Sequence, residues 1–258
     1  MRQHKHFVQQ QRPKKNLLIA GADGIIAAMN EGIQLERIFL LSTAHSREAD
    51  ELKSIAEKNG VPVNKVPQEK LKGFNLPDHR GCVAVRSRIH YQSLQDVISF
   101  IVDKGESTLL LILDGITDIR NIGAIARSAW CCGVHAIIIP EKGVGALNED
   151  AITTSAGALE NIIVSRVKSI AHAIDEMHLN GIKVFASEMQ ATTRIFDINF
   201  KEPCAVIVGS EDKGIHPALY KMCDETFSIP MQNAFESLNV SVASGMILYE
   251  AMKQRIKE

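Results

Sequence analysis

Three short segments in the carboxyl-terminal half of this 258-residue chain combine residue types that could do chemistry. The first runs from Asp114-Gly115 through Asn121-Ile122-Gly123-Ala124-Ile125-Ala126-Arg127-Ser128 and offers an amide at Asn121 and a permanent cation at Arg127. The second, Gly209-Ser210-Glu211-Asp212-Lys213-Gly214, holds the carboxylate of Glu211 between two glycines, whose bare backbone can meet a small ligand. The third runs from Ile229-Pro230-Met231 to Ser237-Leu238-Asn239-Val240-Ser241 and places three small polar groups at the opening of an apolar helix, which is more than capping requires. Together they form a set that can orient a polar ligand and stabilise charge developing on it.

Each residue also has an ordinary role. Asn121 and Ser237 stand where helix N-caps would, and Glu211 fits a tight turn. Arg127 could be a solvated helix arginine. Its wheel position is more informative. Ile122, Ile125, Ala126, Ala129 and Gly133 form one face, and Arg127 lies roughly 140° from it at 100° per residue. One turn earlier, where its side chain leans, are only Gly123 and Ala124, which leaves a ligand room to reach the guanidinium.

The elements that must hold these segments read as an α/β chain. Leu109–Leu113 is an unbroken apolar strand, and strands at Ala136–Ile139, Lys183–Ala186, Ala205–Val208 and Phe227–Ile229 follow, with helices over Ile122–Cys132 and Ile170–Leu179 among them. Such alternation predicts a mostly parallel sheet covered on both faces, with ligands at the carboxyl ends of its strands. The closing helix, Leu238–Ile256, carries Leu238, Val242, Met246, Tyr249 and Met252 at helical spacing, and that face is expected to be core. Upstream, helices at Ala22–Asn30 and Arg47–Lys58 alternate with short strands at Arg37–Leu41, Val61–Val66 and Cys82–Val85, and residues 72–81 read as a loop. The expected organisation is a basic arm at 1–15, a small α/β domain at 16–88, a linker at 89–106 with one helix over Leu94–Val102, and a larger α/β domain at 107–258.

Composition narrows the function. No apolar run approaches the eighteen or so residues of a membrane span, and the amino terminus lacks the apolar core of a secretory signal. Five cysteines without a Cys-x-x-Cys pair argue against a disulfide framework and a structural metal, so we expect a reduced, cytoplasmic protein with no membrane or metal role. The loop after Val208 is no Walker loop, since Ile215 and His216 replace the required Lys-Ser/Thr, and no Gly-x-Gly-x-x-Gly follows a strand. Charge is divided unevenly: residues 1–90 hold 15 Lys+Arg against 9 Asp+Glu, and residues 91–258 hold 14 against 21. A basic amino-terminal part suits a polyanionic partner such as RNA.

The three segments resemble the signature motifs of the SpoU (TrmH-type) family of RNA 2'-O-ribose methyltransferases of the SPOUT superfamily. The resemblance covers residues 107–258, with Ile119 standing where members often carry proline. At the level of pattern, the first ninety residues are similar to the RNA-binding domain of the branch that methylates guanosines of 23S rRNA. The resemblance implies an α/β catalytic domain with a trefoil knot, S-adenosylmethionine as cofactor, and a homodimer whose site draws on both subunits. It assigns Gly209, Ile229, Met231 and Leu238 to the cofactor and Asn121, Arg127, Glu211, Ser237 and Asn239 to catalysis. A guanidinium rarely releases its proton, so Arg127 is expected to stabilise the alkoxide rather than act as base. Ribosomal RNA is the favoured substrate; a tRNA methyltransferase of the same family and a non-catalytic RNA-binding or ribosome-assembly factor are the alternatives.

Overall fold

The computed structural model describes residues 17–44, 46–145, 147–233 and 237–256. The basic arm at 1–15 lies outside them. The chain divides into two compact units, the division in sequence falling between Ser87 and Arg88.

The first unit follows the order β1 (Leu18–Ala20), α1 (Ala22–Asn30), β2 (Leu35–Leu41), α2 (Arg47–Lys58), β3 (Val63–Val66), α3 (Gln68–Lys72) and β4 (Cys82–Arg86). Its sheet runs β1-β4-β2-β3, with β4 antiparallel to both neighbours and β3 parallel to β2. Alternation along β2 sends Ile38 and Leu40 into a core shared with Ile25, Leu52 and Ala56 of the two long helices. Ser46 caps α2 by accepting from Ala49 N at 3.2 Å. The stretch expected as loop opens with the last turn of α3, and Leu71 there is fully buried.

The second unit contains α4 (Leu94–Asp103), β5 (Leu109–Asp114), α5 (Ile119–Cys131), β6 (Ala136–Pro140), α6 (Glu149–Thr154), β7 (Ile163–Val167), α7 (Ile170–Leu179), β8 (Lys183–Ser187), β9 (Cys204–Gly209), α8 (Pro217–Tyr220), β10 (Glu225–Phe227) and α9 (Val240–Arg255). All six strands are parallel, in the order β10-β8-β9-β5-β6-β7. The central strand β5 is buried on both faces. Leu109, Leu111 and Leu113 point to a core formed with α5 and α9, whereas Leu110 and Ile112 point to one formed with α4 and α7. Among the described residues no helix is long and apolar enough to cross a membrane.

Four expectations need correction. The segment 89–106 is no free linker: Leu94, Val97, Ile98 and Ile101 belong to the core of the second unit, and Tyr91 pairs with Val164 beside β7. An amphipathic helix next to a domain must bury its apolar face, and the nearest open face is the sheet's. The strand expected at Phe227–Ile229 lies at Glu225–Phe227 because Phe227 is the last residue in register with β8. Two elements, α6 and β7, were not expected; Asn148 caps α6 through Oδ1 to Asp150 N at 3.1 Å and Ala151 N at 3.2 Å, a cap-plus-acids start that the sequence does carry.

The fourth concerns α9. Its buried face is Val240, Ser244, Ile247, Leu248 and Ala251. Val242, Met246 and Tyr249, expected in the core, lie on the opposite side and are 48%, 47% and 60% exposed. The helix is apolar on two faces, and small residues such as Ser244 and Ala251 let the less conspicuous face approach the sheet. Trp130 of α5, the neighbouring helix, is also 50% exposed.

Replacing Ile98 by Ala is expected to destabilise the second unit by about 2–5 kcal/mol, the usual cost of a buried large-to-small change. Urea unfolding of the full chain measures it; a change under about 0.5 kcal/mol would return α4 to a connecting role.

Candidate active site

The carboxyl ends of β5 and β9 lie side by side, with Asp114 in register with Gly209. Loops from both strands are tied together there, Asp114 Oδ2 accepting from His216 N at 2.7 Å. Gly209 is glycine for a local reason: a Cβ would stand 2.1 Å from the carbonyl carbon of Gly214. The loop 210–214 folds directly over it, closed by Gly214 N to Ser210 O at 2.8 Å and Lys213 N to the Ser210 hydroxyl at 3.2 Å. This fold-back presents Glu211 toward the starts of α5 and α9.

Helix α5 begins earlier than expected. Asp118 is its N-cap, accepting from Arg120 N at 2.8 Å, and Arg120 Nη2 also reaches Asp118 Oδ2 at 2.9 Å. That pairing holds the Asp118 carboxyl below its usual range. Asn121 is thereby released from capping. Its Nδ2 donates to Glu211 Oε1 at 3.0 Å, and its Oδ1 accepts from Asn239 Nδ2 at 3.2 Å. Asn239, and not Ser237, is the N-cap of α9: its Oδ1 accepts from Ser241 N at 2.9 Å, from Val242 N at 3.3 Å and from the Ser241 hydroxyl at 2.5 Å. Asn239 Nδ2 also donates to Glu211 Oε1, and Val240 N reaches the same oxygen at 3.3 Å. One carboxylate oxygen thus takes three donors at a helix N-terminus, where the backbone dipole favours negative charge. Glu211 Oε2 has no protein donor among the described residues.

Beside this cluster opens a cavity of about 520 Å³ at the ends of β8 and β9, within the range of small-molecule sites. Gly209, Ile229, Met231 and Leu238, the four residues assigned to the cofactor, all line it. So do Glu211 and Ser237, while Val208, Ile215 and Val240 supply apolar wall. An apolar slot with exposed backbone at Gly209 fits a flat base, and the polar rim fits the zwitterionic tail of an amino acid. Sequence reasoning missed the wall made by Ser187, Glu188, Met189 and Gln190 after β8. The signal was available, since these residues follow a predicted strand on its carboxyl side.

Arg127 stands apart. It is exposed on α5 and has no hydrogen-bond or ion-pair partner among the described residues. Gly123, expected to leave it room, serves packing instead: a Cβ there would meet Thr154 Cβ of α6 at 2.7 Å. Five expected catalytic residues therefore divide. Asn121, Glu211 and Asn239 are bonded to one another, Ser237 lies at the cavity wall, and Arg127 is joined to none of them within one chain.

A doubly covered parallel sheet with a polar cluster and an apolar cavity at its strand ends defines an α/β enzyme that holds a small cofactor beside a second substrate. The model of the SpoU rRNA Methylase family matches residues 108–249, and that of the RNA 2'-O ribose methyltransferase substrate-binding domain matches residues 18–92. The chain is 32% identical to the 23S rRNA (guanosine-2'-O-)-methyltransferase RlmB of Ralstonia nicotianae, over 93% of this chain and 97% of that protein. It is 30% identical to YacO of Bacillus subtilis, named for the TrmH family of tRNA/rRNA methyltransferases, over 92% and 95%. The crystal structure of the SpoU methyltransferase AviRb from Streptomyces viridochromogenes, in complex with AdoMet, superposes with a TM-score of 0.59 at 25% identity, covering 92% of this chain and 90% of that one. This chain belongs to the SpoU family of RNA 2'-O-methyltransferases. It is an S-adenosylmethionine-dependent RNA methyltransferase.

Asn239→Ala removes both a helix cap and a Glu211 donor. We expect about 1–2 kcal/mol lower stability in thermal or urea unfolding, larger than a cap alone commonly contributes in peptides. A loss below about 0.3 kcal/mol would mean that the cluster does not anchor α9.

Proposed function

We propose that this chain methylates the ribose 2'-hydroxyl of a guanosine in 23S rRNA, with the first unit and the basic arm holding the RNA and the second unit performing the transfer. The observation that carries the reading is the Asn121–Glu211–Asn239 cluster, hydrogen-bonded at the rim of the cofactor cavity. Likeness to RlmB along almost the whole chain supports rRNA over tRNA. The family resemblance also implies that the carboxyl-terminal segment threads a trefoil knot, an exception to the rule against knotted chains.

S-adenosylmethionine, when bound, supplies a methyl group on a good sulfonium leaving group. What remains for the protein is to make a poor hydroxyl nucleophile reactive and to aim it. Gly209, Ile229, Met231 and Leu238 hold the cofactor, and Ser237 holds its methionine end. Asn121 and Asn239 fix Glu211, and the oxygen of Glu211 left without a protein donor, Oε2, orients the ribose. Arg127 remains charged, lowers the cost of losing the hydroxyl proton to solvent water by stabilising the alkoxide, and grips the neighbouring phosphate.

Arg127 reaches this site from a second copy of the chain. Its lack of a partner among the described residues supports this, as does the exposed apolar face of Val242, Met246 and Tyr249, which a homodimer would cover. Arg127→Ala is expected to slow methyl transfer about 100- to 1,000-fold with cofactor affinity nearly unchanged. Mixing inactive Arg127→Ala and Glu211→Ala chains under subunit exchange should restore activity, because one site of each mixed dimer is then intact. No restoration would place both groups in the same protomer.

Mapping 2'-O-methyl groups in ribosomal and transfer RNA from cells with and without this chain tests the substrate. The expected difference is one guanosine of 23S rRNA. A lost mark confined to tRNA would redirect the reading, and no lost mark would favour a binding factor.

A further inference from the structure

Glu188 lies outside the three motifs, yet it lines the cavity. Its backbone is fixed on both sides: Glu188 N donates to Phe227 O at 2.9 Å, and Glu188 O accepts from Ala191 N at 3.2 Å. Its half-buried carboxylate has no hydrogen-bond or ion-pair partner among the described residues. Tyr220, on the same cavity wall, has its phenol pushed up first by burial and then by the charge of Glu188, so the two groups are close. A carboxylate that lines a ligand cavity without a protein donor keeps both oxygens free to accept hydrogen bonds from a bound ligand.

Position within the sheet says which donors. The strand order is β10-β8-β9-β5, so neighbouring strands are about 5 Å apart and the catalytic cluster stands at the β5 and β9 ends. The methyl group must face that cluster, and the methionine end lies with Ser237. Glu188 follows β8, on the far side of Gly209 from that cluster, so a cofactor with its methyl group toward the cluster and its methionine end at Ser237 would bring its adenosyl half toward Glu188. The feature of that half that best suits a carboxylate is the ribose cis-diol, two adjacent O–H donors matched to two acceptor oxygens. Acidic side chains at strand ends recognise ribose hydroxyls in dinucleotide sites by the same chemistry.

On the cofactor reading given above, we propose that Glu188 recognises the ribose diol of the adenosyl group and so sets the cavity's selectivity for ribonucleoside donors. Calorimetric titration of the full chain tests this with S-adenosylhomocysteine, 5'-methylthioadenosine and the 2',3'-dideoxy form of 5'-methylthioadenosine. Glu188→Ala should weaken the first two about 10- to 100-fold each and leave the dideoxy compound, already weak, nearly unchanged. Glu188→Gln, which keeps shape and one acceptor, should lie between, with unfolding midpoints showing that both variants remain folded. A loss for S-adenosylhomocysteine alone would assign the carboxylate to the methionine ammonium and overturn the proposal. An equal loss for the dideoxy compound would assign it to the adenine amine or to packing and overturn it as well. Failure of the unaltered chain to bind any of the three would overturn the cofactor reading itself, a result distinct from both.

Discussion

Glu211 Oε1 accepts hydrogen bonds from Asn121, Asn239 and the backbone of Val240, donors that arrive from the starts of two helices, 90, 28 and 29 residues away in sequence. The geometry of the site depends on this oxygen. Charge-assisted bonds are about twice as strong as neutral ones, and the dipole of α9 adds to them because Val240 is the helix's first residue. Without the carboxylate, the Asn121 amide and the Val240 N–H would lose their acceptor together, and Asn239 would keep only Asn121 Oδ1. The interaction therefore joins loop 210–214 to α5 and α9 and sets the distance between the first and third motifs.

Three glycines, two of them in the motifs, act upstream of that interaction. At Gly209 the chain returns over itself so closely that any side chain would collide with Gly214, and the turn that results is what carries Glu211 forward. At Gly145 a Cβ would meet Thr117 O at 2.5 Å, in the loop that leads into α5. At Gly123 the constraint is helix against helix, α6 on α5. These residues shape the cluster by permitting close approach, and the chemistry belongs to the side chains that the approach brings together.

The apolar alternation of Leu109–Leu113 and its parallel neighbours was legible because strands buried on both faces are continuous apolar runs, and the two cores divide β5 residue by residue. The motifs were legible as residue types. Their capping was not, because Asp118 competes with Asn121 and Asn239 with Ser237, and spacing alone does not say which side chain turns back to the backbone. Helix α9 was misread because periodicity identifies an apolar face without saying whether this chain or another covers it. Helix α4 was expected as a helix but assigned to a linker, although its apolar face packs into the core of the second unit. Glu188 was passed over because it belongs to no motif, and only the cavity shows what it faces.

The two-faced helix and the unpartnered arginine bear on the same point. Within one chain, α9 uses Ser244, Ile247, Leu248 and Ala251 to pack inward, and Val242, Met246 and Tyr249 remain about half exposed on its other side. Exposed apolar residues at helical spacing on a structural helix cost solubility without return unless something covers them. Arg127, on the outer side of the adjacent α5, is a charge with no role in that helix's packing. In the homodimer proposed above, a second copy covers the apolar face, and one chain's Arg127 reaches the other chain's Glu211 cluster. On this reading the site acquires its cation only when the apolar faces meet, so assembly and catalytic competence depend on the same contact.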